Sequence, residues 1–199
     1  MTRFRYFITR RAAVLAAALA ITTATVWAQE TPKVKFSTSA GDFVVELYPD
    51  KAPRTVENFL QYVKDKHYDG SIFHRVIDNF MVQGGGYDAH YVEKKTRPPV
   101  VHEGRDALAR GGPRNVIGTL AMARTNDPNS ASAQFFINVR DNPFLDPTPA
   151  NPGYTVFGKV VSGMDTVQKL KSVPTGAGGP FPSDVPRTPI VINSATLVK

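Results

Sequence analysis

An arginine and a glutamine interrupt an apolar β pattern in "FHRVIDNFMVQGG", Phe73 to Gly85, where a half-buried hairpin should carry Val or Thr. With a three-residue tip, Asp78-Asn79-Phe80, Ile77 pairs with Met81 and Arg75 with Gln83, so the two long polar side chains share one face. That register sets them beside Met81 and lifts Phe80 to the rim: an apolar pocket with a guanidinium at its edge. Such a site would hold an apolar group while offering planar, charged donors to an adjacent carbonyl or nitrogen. A two-residue tip would break the pairing. The composition alone favours a surface arginine lying over apolar neighbours, with Phe80 and Met81 as core.

Other chemistries lack machinery. None of His67, His74, His90 and His102 stands in an HExxH or other ligand-spaced pair, which argues against a metal centre. "QGGG" and "GAGG" carry neither a P-loop Lys-Ser/Thr nor GxGxxG spacing, and read as turns. No GxSxG elbow offers a nucleophile, and the absence of cysteine excludes thiolate catalysis, Cys-based metal sites and disulfides.

Two kinds of element must position the pocket. "APRTVENFLQYVKDK" sets Pro53 in the first turn and Val56, Phe59, Leu60 and Val63 at helical spacing. "GMDTVQKL" predicts a second, short helix with Met164, Val167 and Leu170 on one side. Strands are expected in "VKFSTSAGDFVVELYP", turning at Ser39, Ala40 and Gly41, then in the 73–85 hairpin, "GTLAMA", "AQFFINV", "YTVFGKVV" and "IVINSATLV". Gly84 to Asn115, "NPFLDPTPANPG" and "VPTGAGGPFPSDVPRTP" are expected to be loops. About eight strands and two helices argue for a closed or nearly closed antiparallel sheet capped by helices, since closure removes exposed edges.

Residues 1–28 read as an export signal: an arginine-rich start, an uncharged run from Ala12, and small residues at Val26 and Ala28 before a cut at Gln29. The run of roughly 18 residues is only just long enough to span a bilayer, and "TRRAAVL" faintly echoes a twin-arginine signal. The expected mature chain, 29–199, is about 170 residues, the size of one domain. Four arginines fall in the leader, so the formal charge of +7 drops to about +3 and the case for nucleic-acid binding largely goes with it.

In this order "FHRVIDNFMVQGG", "GTLAMA", "AQFFINV", "FLD" and "YTVFGKVV" resemble the cyclophilin family of peptidyl-prolyl cis-trans isomerases, over about Val34 to Val198. The leader and "FINVRDNPFLD" further resemble periplasmic cyclophilins of Gram-negative bacteria. The resemblance implies a mainly β fold, a closed eight-stranded antiparallel barrel capped by two α-helices, with no metal or cofactor. It implies a periplasmic monomer that isomerises X-Pro bonds in exported proteins, without nucleic acid or lasting membrane contact. By motif, Arg75 matches the catalytic arginine, and Phe80, Met81, Phe136 and Leu145 the proline pocket. Gln83 and Gln134 match polar contacts, and Ala123 and Arg124 a segment whose backbone holds the substrate chain. His74 matches a supporting histidine. Phe144 and Tyr154 stand in the substrate site where many eukaryotic members have tryptophan and histidine; losing the indole donor bears on cyclosporin binding, not on the proline pocket. A non-catalytic module that grips proline-containing peptides is the competing class. It would keep the pocket and could dispense with the arginine.

Overall fold

The computed structural model describes residues 31–198. The expected leader, residues 1–28, lies outside the described residues, and among these no helix is long and apolar enough to cross a membrane.

Eight strands form one antiparallel sheet: β1 (Lys33–Thr38), β2 (Gly41–Leu47), β3 (Ser71–Ile77), β4 (Met81–Asp88), β5 (Thr119–Met122), β6 (Phe135–Asn138), β7 (Val156–Ser162) and, last in the chain, β10 (Ile192–Leu197). Their order is β10-β1-β2-β7-β5-β6-β4-β3, and the sheet curls until β3 meets β10 again. A single bridge, Ile72 to Val191, and backbone bonds from Gly70 to Ile192 and from Phe73 to Ile190 make this closing seam. The result is the nearly closed barrel expected, with almost no free edge.

The period-2 alternation of the strands divides inside from outside. Phe36, Phe43, Leu120, Phe135, Ile137 and Phe157 point inward and are buried, joined by Phe59 and Tyr68. Their rings interlock, from a 4.9 Å stack of Phe36 on Phe43 to an edge contact of Phe59 with Phe135 at 5.8 Å. Each such pair adds about 1 kcal/mol beyond its burial. A chain with no cysteine is held by this packing.

Helices α1 (Pro53–Lys64) and α3 (Met164–Lys171) cap the barrel and add their apolar stripes to its core. In α1 the buried stripe is Thr55, Val56, Phe59, Tyr62 and Val63, with the expected Leu60 at its margin. Ala52 cannot cap this helix. Buried Glu103 does so from a distant loop, accepting from the amides of Arg54 and Thr55 at 3.2 and 2.8 Å and from the Thr55 hydroxyl at 2.7 Å.

Two expected loops are structured. Within Gly84–Asn115, β4 runs on to Asp88 and a six-residue helix, α2 (Gly104–Ala109), follows Glu103. Within 173–189 a separate hairpin forms, β8 (Thr175–Gly178) with β9 (Phe181–Pro186), which adds two strands to the eight of the barrel among the described residues. The prolines in β9 are tolerated because that strand has a free edge and pairs only with β8.

Candidate functional site

The 73–85 hairpin has the three-residue tip. Ile77 pairs with Met81, Val76 with Val82 and Arg75 with Gln83. Asn79 turns the chain at φ 57°, a conformation asparagine accepts more readily than most residues. Beyond Arg75 the register breaks: Phe73 faces Gly84, leaving His74 as an extra residue on β3. This β-bulge decides where the arginine points. In an unbroken strand Phe73, Arg75 and Ile77 would share one face, and Phe73 lies in the core. With one residue inserted, Phe73 and Val76 face inward, while Arg75 is exposed on the outer surface.

Alternation on the neighbouring strands builds the pocket on that surface. Met81, Ala121, Phe136 and Val156 point outward from β4, β5, β6 and β7 and form a second apolar cluster with Leu145, Phe80 and Tyr154. Cross-strand pairing of Gln83 with Phe136, and of Phe136 with Ala121, fixes their lateral spacing. The cleft has a volume of about 180 Å³, and Arg75, Phe80, Met81, Gln83, Ala123, Arg124, Phe136, Leu145 and Tyr154 line it. Met81 and Phe136 are almost fully buried, so the floor is preformed and apolar. Among the described residues the Arg75 side chain meets no acceptor within hydrogen-bond or salt-bridge distance.

A second, polar cleft of about 230 Å³ adjoins the first. Gln83, Ala123 and Arg124 belong to both, and Glu93, Thr125, Ser130, Ser132 and Gln134 complete it. The Gln83 side-chain amide donates to Oε1 of Gln134 at 3.0 Å across the boundary. Gly86 leaves room for this: a Cβ there would lie 2.5 Å from the Gln134 side chain.

Two of the expected residues stand apart. Phe144 is 64% exposed and stacks on the outside of Phe80, with ring centres 5.6 Å apart. His74 is buried on the flank of β3 against Tyr87 and Phe181 and lines neither cleft. Burial pushes its imidazole down to about 4, with the Arg75 guanidinium adding to the effect. The ring is therefore neutral near neutrality.

Arg124 does more than lend its backbone. Its Nε and Nη2 both donate to the Gly153 carbonyl, at 3.0 and 2.9 Å, and its guanidinium lies 4.6 Å over the Tyr154 ring. Neutral His102 approaches the same carbonyl at 3.2 Å, its pKa lowered by burial. Gly153, at φ 66°, sits so close to the chain that a Cβ would meet the Pro147 nitrogen at 2.4 Å. Arg124 thus pins the loop that delivers Leu145 and Tyr154.

A buried amide ladder went unread in the sequence. Asn142 donates to the Phe80 carbonyl at 2.9 Å and to Asn138 at 2.8 Å. Asn138 donates to Thr119 at 2.9 Å and Asn115 at 3.2 Å, and Asn115 donates to Asp146. The ladder ties the hairpin tip to the loop around Leu145. Its signal was asparagine at the end of the strand run "FFIN", where β propensity disfavours it.

The family described as "Cyclophilin type peptidyl-prolyl cis-trans isomerase/CLD" matches residues 33–197. Peptidyl-prolyl cis-trans isomerase cyp18 of Streptomyces antibioticus is 52% identical over 83% of this chain and 98% of its own length. Peptidyl-prolyl cis-trans isomerase B of Escherichia coli is 48% identical over 82% and 98%, and peptidyl-prolyl cis-trans isomerase A of Dickeya dadantii is 49% identical over 83% and 84%. Two crystal structures of a Cryptosporidium parvum cyclophilin type peptidyl-prolyl cis-trans isomerase share the fold. The first has a TM-score of 0.67 at 24% identity over 85% of this chain and 98% of its own. The second, determined in the presence of the dipeptide Ala-Pro, has a TM-score of 0.66 at 25% identity over 84% and 99%.

Proposed function

The chain belongs to the cyclophilin-type peptidyl-prolyl cis-trans isomerases, and from that premise we propose that it turns X-Pro bonds in the cleft beside Arg75, on exported proteins. The observation that carries this reading is the outward-facing guanidinium, without an acceptor of its own among the described residues, beside the preformed apolar floor of a cleft of about 180 Å³. A module that only gripped proline would need the floor and not the cation.

The chemistry follows from amide resonance. Rotation about an X-Pro bond has a barrier of about 20 kcal/mol because conjugation is lost in the twisted state, and the uncatalysed change takes tens of seconds. Twisting returns a lone pair to the prolyl nitrogen. A donor aimed at that nitrogen binds the twisted state better than either planar one, which is the condition for catalysis. Arg75 is that donor, and its fork also reaches the neighbouring carbonyl. Phe80, Met81, Phe136 and Leu145 hold the ring while the preceding carbonyl swings. Ala123 and the Gln83–Gln134 pair face the flanking peptide. One charge-assisted hydrogen bond supplies roughly 1.5–3 kcal/mol. The rest comes from placing the bond in a dry, preorganised cleft.

The dipeptide with which a relative was crystallised supports proline-containing segments as substrates. A protease-coupled assay on a proline tetrapeptide tests the assignment of the cleft. Phe136→Ala is expected to weaken peptide affinity and rate together, because the floor serves the planar and twisted states alike. Parent-like affinity and rate in the folded variant would place the substrate elsewhere.

Exported clients are supported by the leader pattern of residues 1–28. Mass spectrometry of periplasmic extract is expected to find a soluble form that begins at or near Gln29. An intact Met1 terminus in the membrane fraction would instead make the leader an anchor.

A further inference from the structure

The β8–β9 hairpin is not part of the barrel, yet it packs against β3, the strand that carries Arg75. Its contact there is aromatic. The Phe181 ring stacks on His74 with centres 5.4 Å apart and planes 27° from parallel. Tyr87, from β4, closes the group with its edge, 4.8 Å from His74 and 5.0 Å from Phe181. Val185 of the same hairpin is buried, and the glycines at its tip lie tight against Tyr91. The tip end of the hairpin is therefore held by His74, Tyr87 and Tyr91.

His74 is the inserted residue of the bulge, so whatever fixes its ring also fixes the break in alternation next to it. Nδ1 of His74 is buried without a hydrogen-bond partner. Besides a polar contact with the Ile72 backbone, ring packing holds the imidazole there, and Phe181 supplies its parallel face. Were the stack removed, the bulge could slide along β3, which would carry Arg75 off its outward course.

We propose that Phe181 is a positioning residue for isomerisation: by stacking on His74 it clamps the bulge that aims Arg75 at the cleft. This rests on Arg75 as the catalytic donor, and the experiment separates the two ideas. Rates and peptide affinities are measured for Phe181→Ala, Phe181→Tyr, Arg75→Ala and the double variant Phe181→Ala/Arg75→Ala, with Ser183→Ala as a hairpin control and melting as a check on folding.

Phe181→Ala is expected to lose about tenfold in kcat at nearly unchanged affinity for a proline tetrapeptide, since a misaimed group costs rate before binding. Phe181→Tyr restores the ring and is expected within about twofold of the parent, as is Ser183→Ala. In the Arg75→Ala background, Phe181→Ala should cost nothing further, because a residue that acts through another has no effect once that one is gone. If the two losses multiply, or if folded Phe181→Ala keeps the parent kcat, the clamp is refuted. If Arg75→Ala itself is silent, the reading of Arg75 falls first. Should Phe181→Ala fail to fold, Phe181→Leu keeps the apolar bulk without the ring. A several-fold drop in its kcat alone supports the clamp, and a parent-like kcat refutes it.

Discussion

Arg75→Ala is expected to isomerise proline peptides about ten- to a hundredfold more slowly than the parent, the worth of one charge-assisted hydrogen bond made in the twisted state. Fold and peptide affinity should be little changed. The side chain is exposed, has no internal partner among the described residues, and the apolar floor stays in place. Arg75→Lys should recover little, because a flexible point charge does not reproduce a planar fork aimed at two substrate atoms. The check is a protease-coupled rate and a separate affinity for each variant. A folded Arg75→Ala that turns over at the parent rate would remove the guanidinium from the mechanism.

The second large effect is on stability in acid. The buried His74 ring titrates near 4 in the folded protein against an ordinary value of 6.5. Above about pH 6.5 neither state binds the proton and the fold keeps its full stability. Between the two values the unfolded chain is protonated and the folded one is not, so stability falls as pH falls. The loss levels off near pH 4 at about 3 kcal/mol, a sizeable part of what holds a domain this size together. His74→Phe keeps a ring against Phe181 and Tyr87 and does not titrate. In urea unfolding at a series of pH values, the parent should lose about 3 kcal/mol more than the variant between pH 7 and 4. Parallel curves would mean that the folded protein accommodates the charged ring.

The sequence carried the parts of this site that depend on local rules. The apolar alternation on either side of the tip made the hairpin readable and left the Arg75–Gln83 pairing as one of two registers, which the three-residue turn of the structure selects. The stripes of α1 and α3 were readable for the same reason, being set by helical spacing. What stayed hidden depends on distant chain. The bulge at His74 appears only when β3 is counted against β4, and one extra residue in a run of seven leaves no mark in composition. Helix α2 spans six residues, too few for a period, and its cap neighbour Glu103 serves α1 instead. The β8–β9 hairpin was hidden by its own glycines and prolines, which read as loop until Phe181 finds His74 and Tyr87 to cover. The amide ladder joins residues 80, 115, 138, 142 and 146, and no window on the sequence contains them all.

The pairing of the first strand with the last also sets an order of events during synthesis. β1 lies between β2 and β10, with Val34 opposite Leu197, so nearly the whole domain must emerge before β1 finds its second neighbour. Until then its outer edge is an open row of amides and carbonyls, the kind of edge that recruits other chains. Contacts this distant in sequence make folding slow. The barrel is therefore itself a late finisher, exposed to mispairing until the six-residue strand β10 arrives.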